Sequence, residues 1–304
     1  MSSIRISAEV REAIAAGRPV LALESTIFTH GLPRPRNFEV AIESEAQLRA
    51  SGVIPATIGV VAGELVVGLS TDEIQLLSND DSVVKASIRD LPIAAAKKLS
   101  AGTTVAATAY AAHAAGIKVF STGGLGGVHQ GAPQTFDESA DLGALASLPI
   151  VVVSAGVKSI LDIGLTLERL ETLNVPVVGW KTTDYPASTS RTPASISSTP
   201  WTARTRSQPS PPVEMTWGGW PLRCWWPTRS PADKQLAPEK LEAVLVEAHA
   251  AAAAANIVGH DTTPFLLDYI QRATGGGESL EVNISVYHNN VALGAEIARS
   301  ISAR

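Results

Sequence analysis

The chain holds one cysteine, two methionines and no excess of positive charge. A lone cysteine excludes an intramolecular disulfide framework. With 24 Lys and Arg against 29 Asp and Glu, the formal net charge is −5, so no broad basic surface points to nucleic acid. No run approaches the roughly 20 apolar residues that span a bilayer, and the alanines from 250 to 255 fall far short. The N-terminal MSSIRISAEVREAIAAGRPV lacks the apolar core of a secretory signal. A cytoplasmic protein acting on small molecules, with neither membrane nor nucleic acid as partner, is the expectation left standing. Its 304 residues suffice for a full hydrophobic core.

Against that background one segment stands out. Residues 188–230 carry five of the six tryptophans and the only cysteine, Cys224, but neither lysine nor aspartate. No helical or strand periodicity runs through them. A disordered insertion would have few aromatics. The genetic code offers another account. Cys-Trp-Trp-Pro requires TGY TGG TGG CCN, and moving the frame back one base reads YTG GTG GCC, which is Leu-Val-Ala for either pyrimidine. Suitable codons then permit Asn-Pro-Ile before Pro231, and Phe-Tyr-Ile-Ala-Asp-Ser-Gly-Phe at 188–195. A pair of compensating frameshifts bracketing 188–230 is the expectation, within one domain spanning 1–304. A chain translated as printed would then lack a central strand.

Elsewhere the pattern is regular. Helices are predicted over 8–16, from an N-cap at Asn37 to Ala50, from Thr71, over 92–99, 103–115, 139–148 and 158–173, and over 238–255, 263–273 and 279–302. Strands are predicted at 19–23, 57–61, 65–68, 83–87, 117–120, 150–154 and 175–180. Alternation of this kind implies an α/β protein with a largely parallel central sheet.

Ligands in open α/β sheets bind beyond the carboxyl ends of the strands, so polar residues there are the candidates. Glu24 follows Val-Leu-Ala-Leu, where a partly desolvated carboxyl can keep a proton and act as a general acid; a capping or salt-bridged glutamate is the alternative. Lys85 lies inside Val-Val-Lys-Ala-Ser, either as a phosphate or carboxylate ligand or as an edge-strand lysine discouraging aggregation. The run Thr-Gly-Gly-Leu-Gly-Gly-Val-His at 122–129 suits an anion-binding backbone or simply a tight turn, and it is neither a dinucleotide fingerprint nor a P-loop. His129 alone is as compatible with structure as with catalysis.

Asp137 and Asp141 are four residues apart, a spacing that suits a divalent cation or plain helix capping by Asp137 or Ser139. Lys158 follows Ile-Val-Val-Val-Ser-Ala-Gly and is expected to open a helix. A lysine kept neutral there by burial and the helix N-terminus forms an imine with an aldehyde-like carbon; a solvated helix-start lysine is the alternative.

Taken together, ALESTIFTHGLPRP (22–35), VVKASIRDLP (83–92), GIKVFSTGGLGGVHQGAPQTFDESADL (116–142), SAGVKSILDIG (154–164), TGGGESLEVNI (274–284) and HNNVALGAEIA (288–298) closely resemble pseudouridine-5'-phosphate glycosidases, or indigoidine synthase A-like proteins. The resemblance implies a three-layer α/β/α fold, a homotrimer, and a nucleotide or sugar-phosphate substrate. It implies that Lys158 forms a Schiff base with the ribose anomeric carbon and Glu24 donates a proton. It further implies manganese (Mn2+) at Asp137, and substrate binding by Lys85, Val105, Ser139, Ala140 and Asp141, with His129 and Asn289 in matching active-site motifs. The reaction implied is reversible cleavage of a C–C glycosidic bond to uracil and ribose 5-phosphate. A related Schiff-base sugar-phosphate lyase, and a frameshifted inactive relic or weak assembly subunit, are the alternative expectations. The family has Leu-Val-Ala-Asn-Pro-Ile-Pro where this chain prints Cys224–Pro231.

Overall fold

The computed structural model describes residues 4–180, 184–185, 194–195, 216–217, 220–221, 224–227, 238–257, 262–273 and 277–303. Its centre is a nine-stranded sheet with order β1-β4-β3-β2-β7-β8-β13, extended by β6 against β3 and β5 against β6. The strands are β1 (Arg5–Ile6), β2 (Val20–Leu23), β3 (Ile54–Val61), β4 (Glu64–Val67), β5 (Val84–Ala86), β6 (Ala101–Thr103), β7 (Val119–Ser121), β8 (Val151–Ser154) and β13 (Cys224–Pro227). Short pairs β9 (Asp184–Tyr185) with β10 (Ala194–Ser195), and β11 (Thr216–Trp217) with β12 (Trp220–Pro221), are separate antiparallel ribbons. Six pairings in the large sheet are parallel and two, β3 with β4 and β3 with β6, are antiparallel. The expected largely parallel sheet is therefore present.

Helices cover both faces, and the period-2 alternation of the strands explains how. Val20, Ala22, Phe120 and Val152 point into one core with α1 (Ala8–Ala15), α5 (Val105–Ala114), α7 (Ala140–Ser147), α8 (Ile163–Thr172), α9 (Pro238–Ala254) and α10 (Thr262–Ala273). Leu21, Leu23, Val119, Val151 and Val153 point into the other, against α2 (Arg36–Ala50) and α11 (Gly277–Ser302). Beside that second core, α3 (Thr71–Asn79) buries Ile74 and Leu77, and its start carries a full capping box between Ser70 and Glu73. Two short helices, α4 (Leu91–Lys97) and α6 (Ala132–Thr135), complete the set. Among the described residues no helix is long and apolar enough to cross a membrane.

Several expectations change. Asn37 is not an N-cap: α2 begins at Arg36, and the buried Asn37 amide donates instead to the Phe28 and Ser78 carbonyls, at 2.8 and 2.9 Å. Thr103 belongs to β6, so helix α5 starts two residues later, capped by Thr104. Lys158 does not open a helix. Helix α8 begins at Ile163, where the Asp162 carboxylate accepts from the Leu165 amide at 2.9 Å, so the lysine precedes that helix's first turn. Residues 175–180 form no named strand. The strand beside β8 comes from the anomalous segment: Cys224, Trp225, Trp226 and Pro227 pair in parallel with Val151, Val152, Val153 and Ser154. The printed chain thus fills the strand position it was expected to lack. Apart from Ala194–Ser195, Thr216–Trp217 and Trp220–Pro221, the rest of 188–230, including most of the proposed frameshift at 188–195, lies outside the described residues.

Candidate active site

Strands β2, β7 and β8 are parallel neighbours, so their carboxyl ends deliver Glu24, Thr122 and the turn after Ser154 to the same side of the sheet. Strand β6 runs against β3 from the opposite direction, and its last residue meets the tip of β2. There the Thr103 amide donates to Ser25 Oγ at 2.8 Å, and the Thr103 hydroxyl donates to the Ile58 carbonyl at 2.8 Å. This junction also brings in β5, whose Lys85 lies in register with Gly102. Five strands thereby converge, three from one direction and two from the other.

Glu24 is 6% exposed. One carboxylate oxygen accepts from the Thr122 hydroxyl and the other from the Thr26 hydroxyl. Burial pushes its pKa above the ordinary carboxylate value; the Lys158 charge and both hydroxyls oppose that rise, and Asp141 adds to it. Lys158 sits half-buried in the turn between β8 and α8, its amide donating to the Leu125 carbonyl at 3.1 Å. A buried carboxyl whose pKa is raised, set beside a lysine, is the pairing that proton-assisted imine chemistry draws on.

Asp141 is also 6% exposed but held differently. Its Oδ1 accepts from the Ala106 amide and its Oδ2 from the Gly126 amide, each at 2.9 Å. The carboxylate thus ties the start of α5, where Val105 is buried, to the glycine-rich turn. Gly126 is required there, because a Cβ would lie 2.2 Å from Ser139 Oγ and 2.8 Å from Asp141 Oδ2. The amides of Leu125, Gly126, Val128 and His129 all donate to protein acceptors, that of Gly126 to the chain's own Asp141. Ser139 caps α7, its hydroxyl accepting from the Asp141 amide at 3.2 Å, and Ala140 begins that helix at the surface.

Lys85 reaches the surface, yet surrounding protein desolvates it enough to lower its pKa. Lys158 reinforces that lowering, while Asp141 and Glu24 oppose it. His129 is half-buried with its pKa lowered, first by burial; Asp137 opposes the shift, while Lys158, His249 and Lys85 add to it. Asp137 stands 4.0 Å from His129 Nδ1, its side chain 36% exposed.

Asp137 and Asp141 do not form the facing pair their spacing suggested, since both oxygens of Asp141 are engaged by amides. Glu138 is likewise committed, to Arg169 at 2.9 Å. Among the described residues no group of three or more His, Cys, Asp or Glu is arranged to hold a metal. Asp137 fits a hard cation that keeps most of its waters, not a protein cage.

Asn289 is exposed on α11, and its neighbour Asn290 is the residue that reaches the site. Asn290 Nδ2 donates to the Thr122 carbonyl at 2.8 Å and the Gly123 carbonyl at 3.2 Å. Thr26, Thr122 and His249 were also missed. Thr122 directly follows β7 and Thr26 lies two residues beyond Glu24, a signal available in sequence; His249, arriving from α9, has none.

Fold and site together define an α/β enzyme that sets a buried carboxyl beside a lysine amine at the end of a parallel sheet. The chain belongs to the indigoidine synthase A-like family, whose pattern, described as "Indigoidine synthase A like protein", matches residues 9–300. It is 56% identical to a pseudouridine-5'-phosphate glycosidase of Saccharopolyspora erythraea, over 98% of this chain and 97% of that one. A protein of the same name from Frankia alni is 48% identical over 100% of this chain and 83% of its own length. Among solved structures, the prealnumycin C-glycosynthase AlnA in complex with ribulose 5-phosphate aligns with a TM-score of 0.84 and 31% identity, covering 100% of this chain and 98% of its own.

Proposed function

We propose that this chain is a pseudouridine-5'-phosphate glycosidase, cleaving the C–C bond between uracil and ribose 5-phosphate, reversibly, through a lysine Schiff base. The observation that carries the reading is the pairing of buried Glu24, whose pKa burial raises, with Lys158 at the shared end of β2, β7 and β8. The names of the full-length relatives support the substrate, and the sugar phosphate bound by the structural neighbour supports its class.

The bond explains the residue types. A C–C glycoside has no leaving oxygen to protonate, so the two-carboxylate strategy of ordinary glycosidases does not serve. Glu24 gives its proton to the ring oxygen as the sugar opens, and Lys158 adds to the anomeric carbon. The added nitrogen returns a proton to the Glu24 carboxylate, and its freed pair forms the C=N bond while the C–C pair departs with uracil, which takes up a proton. Water adds to the imine, releases ribose 5-phosphate and restores the amine. Lys85, Ser139 and the buried Val105 at the start of α5 form the sugar-phosphate side, with His129 at its edge. Asp137 would hold a solvated Mn2+, whose charge would offset that of the phosphate when bound. The strand formed by Cys224–Pro227 favours this reading over an inactive relic. The assembly is a homotrimer, which a solution mass at three times the chain mass checks.

Borohydride trapping with ribose 5-phosphate, followed by mass spectrometry, is the test. Wild type should gain the reduced sugar-phosphate adduct on Lys158, and Lys158→Ala should gain none. Adduct formation at full level in Lys158→Ala would overturn the nucleophile. Release of a product other than uracil from pseudouridine 5'-phosphate would favour a related sugar-phosphate lyase, and activity unchanged by chelator would remove the metal.

A further inference from the structure

Helix α11 lies unusually close to the catalytic end of the sheet. Gly294 packs so tightly that a Cβ there would sit 2.1 Å from Ser121 Oγ and 3.0 Å from Leu21 Cδ1. One turn earlier, Asn290 is fully buried and engages three consecutive residues of the β7 end. Its main-chain carbonyl accepts from Ser121 Oγ at 3.0 Å, and its side-chain Nδ2 donates to the carbonyls of Thr122 and Gly123. Carbonyls only accept, so the NH2 end of the amide must face them. Thr122 in turn aims its hydroxyl at Glu24. The amide therefore fixes the backbone from which a proton-handling contact of Glu24 is projected, across 168 residues of sequence.

We infer that Asn290 is a positioning residue for Glu24, acting through Thr122, so that the C-terminal helix sets the geometry of the proton donor. This rests on the reading of Glu24 as the donor in the proposed reaction. Thr122 is one of two hydroxyls holding the carboxyl, the other being Thr26 at the end of β2. The charges and titratable groups around it are Lys158 after β8, Asp141 from α7, Lys85 from β5 and Tyr287 from α11. Losing the Thr122 contact removes a donor that favours the ionised carboxyl, so the acid's pKa moves further up.

The test is a double-mutant cycle on Asn290→Ala and Thr122→Val, with Thr122→Ser as the conservative control. It reads kcat and KM for pseudouridine 5'-phosphate, the pH profile, and adduct trapping with ribose 5-phosphate. Asn290→Ala should lower kcat at least about tenfold with KM within about threefold, a fraction of what general acid catalysis contributes. Its alkaline limb should move to higher pH, trapping should persist, and Thr122→Ser should stay near wild type. Combined with Thr122→Val it should cost no more than the worse single variant, as coupled residues do. Should Asn290→Ala fail to fold, Asn290→Ser, which keeps a shorter donor, should show the same limb shift in weaker form. Additive losses, or an unchanged limb with kcat intact, would overturn the inference. Full activity in Glu24→Gln would instead overturn the donor role itself; an inactive Glu24→Gln with additive losses at 290 and 122 leaves that role standing and removes only Asn290.

Discussion

Glu24 and Asp141 are buried to the same extent, yet the fold holds them in opposite ways. Two side-chain hydroxyls, from Thr26 and Thr122, hold Glu24; two backbone amides, from Ala106 and Gly126, hold Asp141. A hydroxyl turns about its C–O bond and serves as donor or acceptor, so it tolerates a carboxyl that gains and loses a proton. An amide only donates, and its position is fixed by the chain. The first arrangement suits a group that moves protons, and the second a group that joins pieces of backbone. Equal burial therefore says little about role, and the partners decide it.

The comparison is broken most severely at Asp141. Asp141→Asn turns an NH2 toward an amide that can only donate, leaving a buried donor without an acceptor. The expected loss is about 2–3 kcal/mol of stability, typical for a buried polar group deprived of its partner. Urea unfolding checks it. Activity should fall with it, because the start of α5 and the glycine turn lose their common anchor. A stable, fully active Asp141→Asn would mean that the two amide contacts contribute little.

How much of this was readable in sequence follows from distance along the chain. Glu24 and Lys158 follow uninterrupted apolar runs, Val-Leu-Ala-Leu and Val-Val-Val-Ser, and such runs mark buried strands whose ends carry chemistry. The layered fold was readable for the same reason. Asp141 was visible as a carboxylate in a first helical turn, but its partners come from 35 and 15 residues away, and no local pattern encodes them. Strand β6 is only Ala-Gly-Thr, too short to alternate. The apolar spacing after Lys158 suggested a helix, but the Asp162 cap delays it to Ile163. Asn289 and Asn290 are adjacent, and only the helix register decides which faces the sheet. The strand at Cys224–Pro227 was hidden because its composition resembles no ordinary buried strand.

Glu24→Gln sharpens the comparison from the other side. Gln keeps the shape and one acceptor oxygen but cannot give up a proton, so kcat should fall by about 10²–10⁴, the usual contribution of a general acid. Stability should respond differently from Asp141→Asn. The folded-state pKa of Glu24 lies above its ordinary value of 4.5. Its stabilising contribution is thus complete below that ordinary value and is lost as pH rises through the raised folded value. Relative to the glutamine variant, wild type should lose thermal stability as pH climbs from about 4.5 toward neutrality and above. Parallel melting curves for the two proteins across that range would remove the claim that Glu24 is buried as an acid.

The smallest effect separates the two duties at Ser139. Its hydroxyl accepts from the Asp141 amide as the cap of α7, which leaves its own O–H available to donate to a phosphate oxygen. Ser139→Ala should therefore cost about 1 kcal/mol of stability, as loss of an N-cap does. On the proposed sugar-phosphate role the hydroxyl would bind ground state and transition state alike, so KM for the nucleotide should rise a few-fold with kcat nearly unchanged. Ser139→Thr, which keeps the oxygen, should restore the cap, though its extra methyl must share space with Gly126. Denaturant midpoints and steady-state kinetics on the same preparations separate the outcomes. A midpoint shift without a change in KM would confine Ser139 to supporting Asp141, on the fixed side of the site; a change in KM without a midpoint shift would move it to the sugar-phosphate side alone.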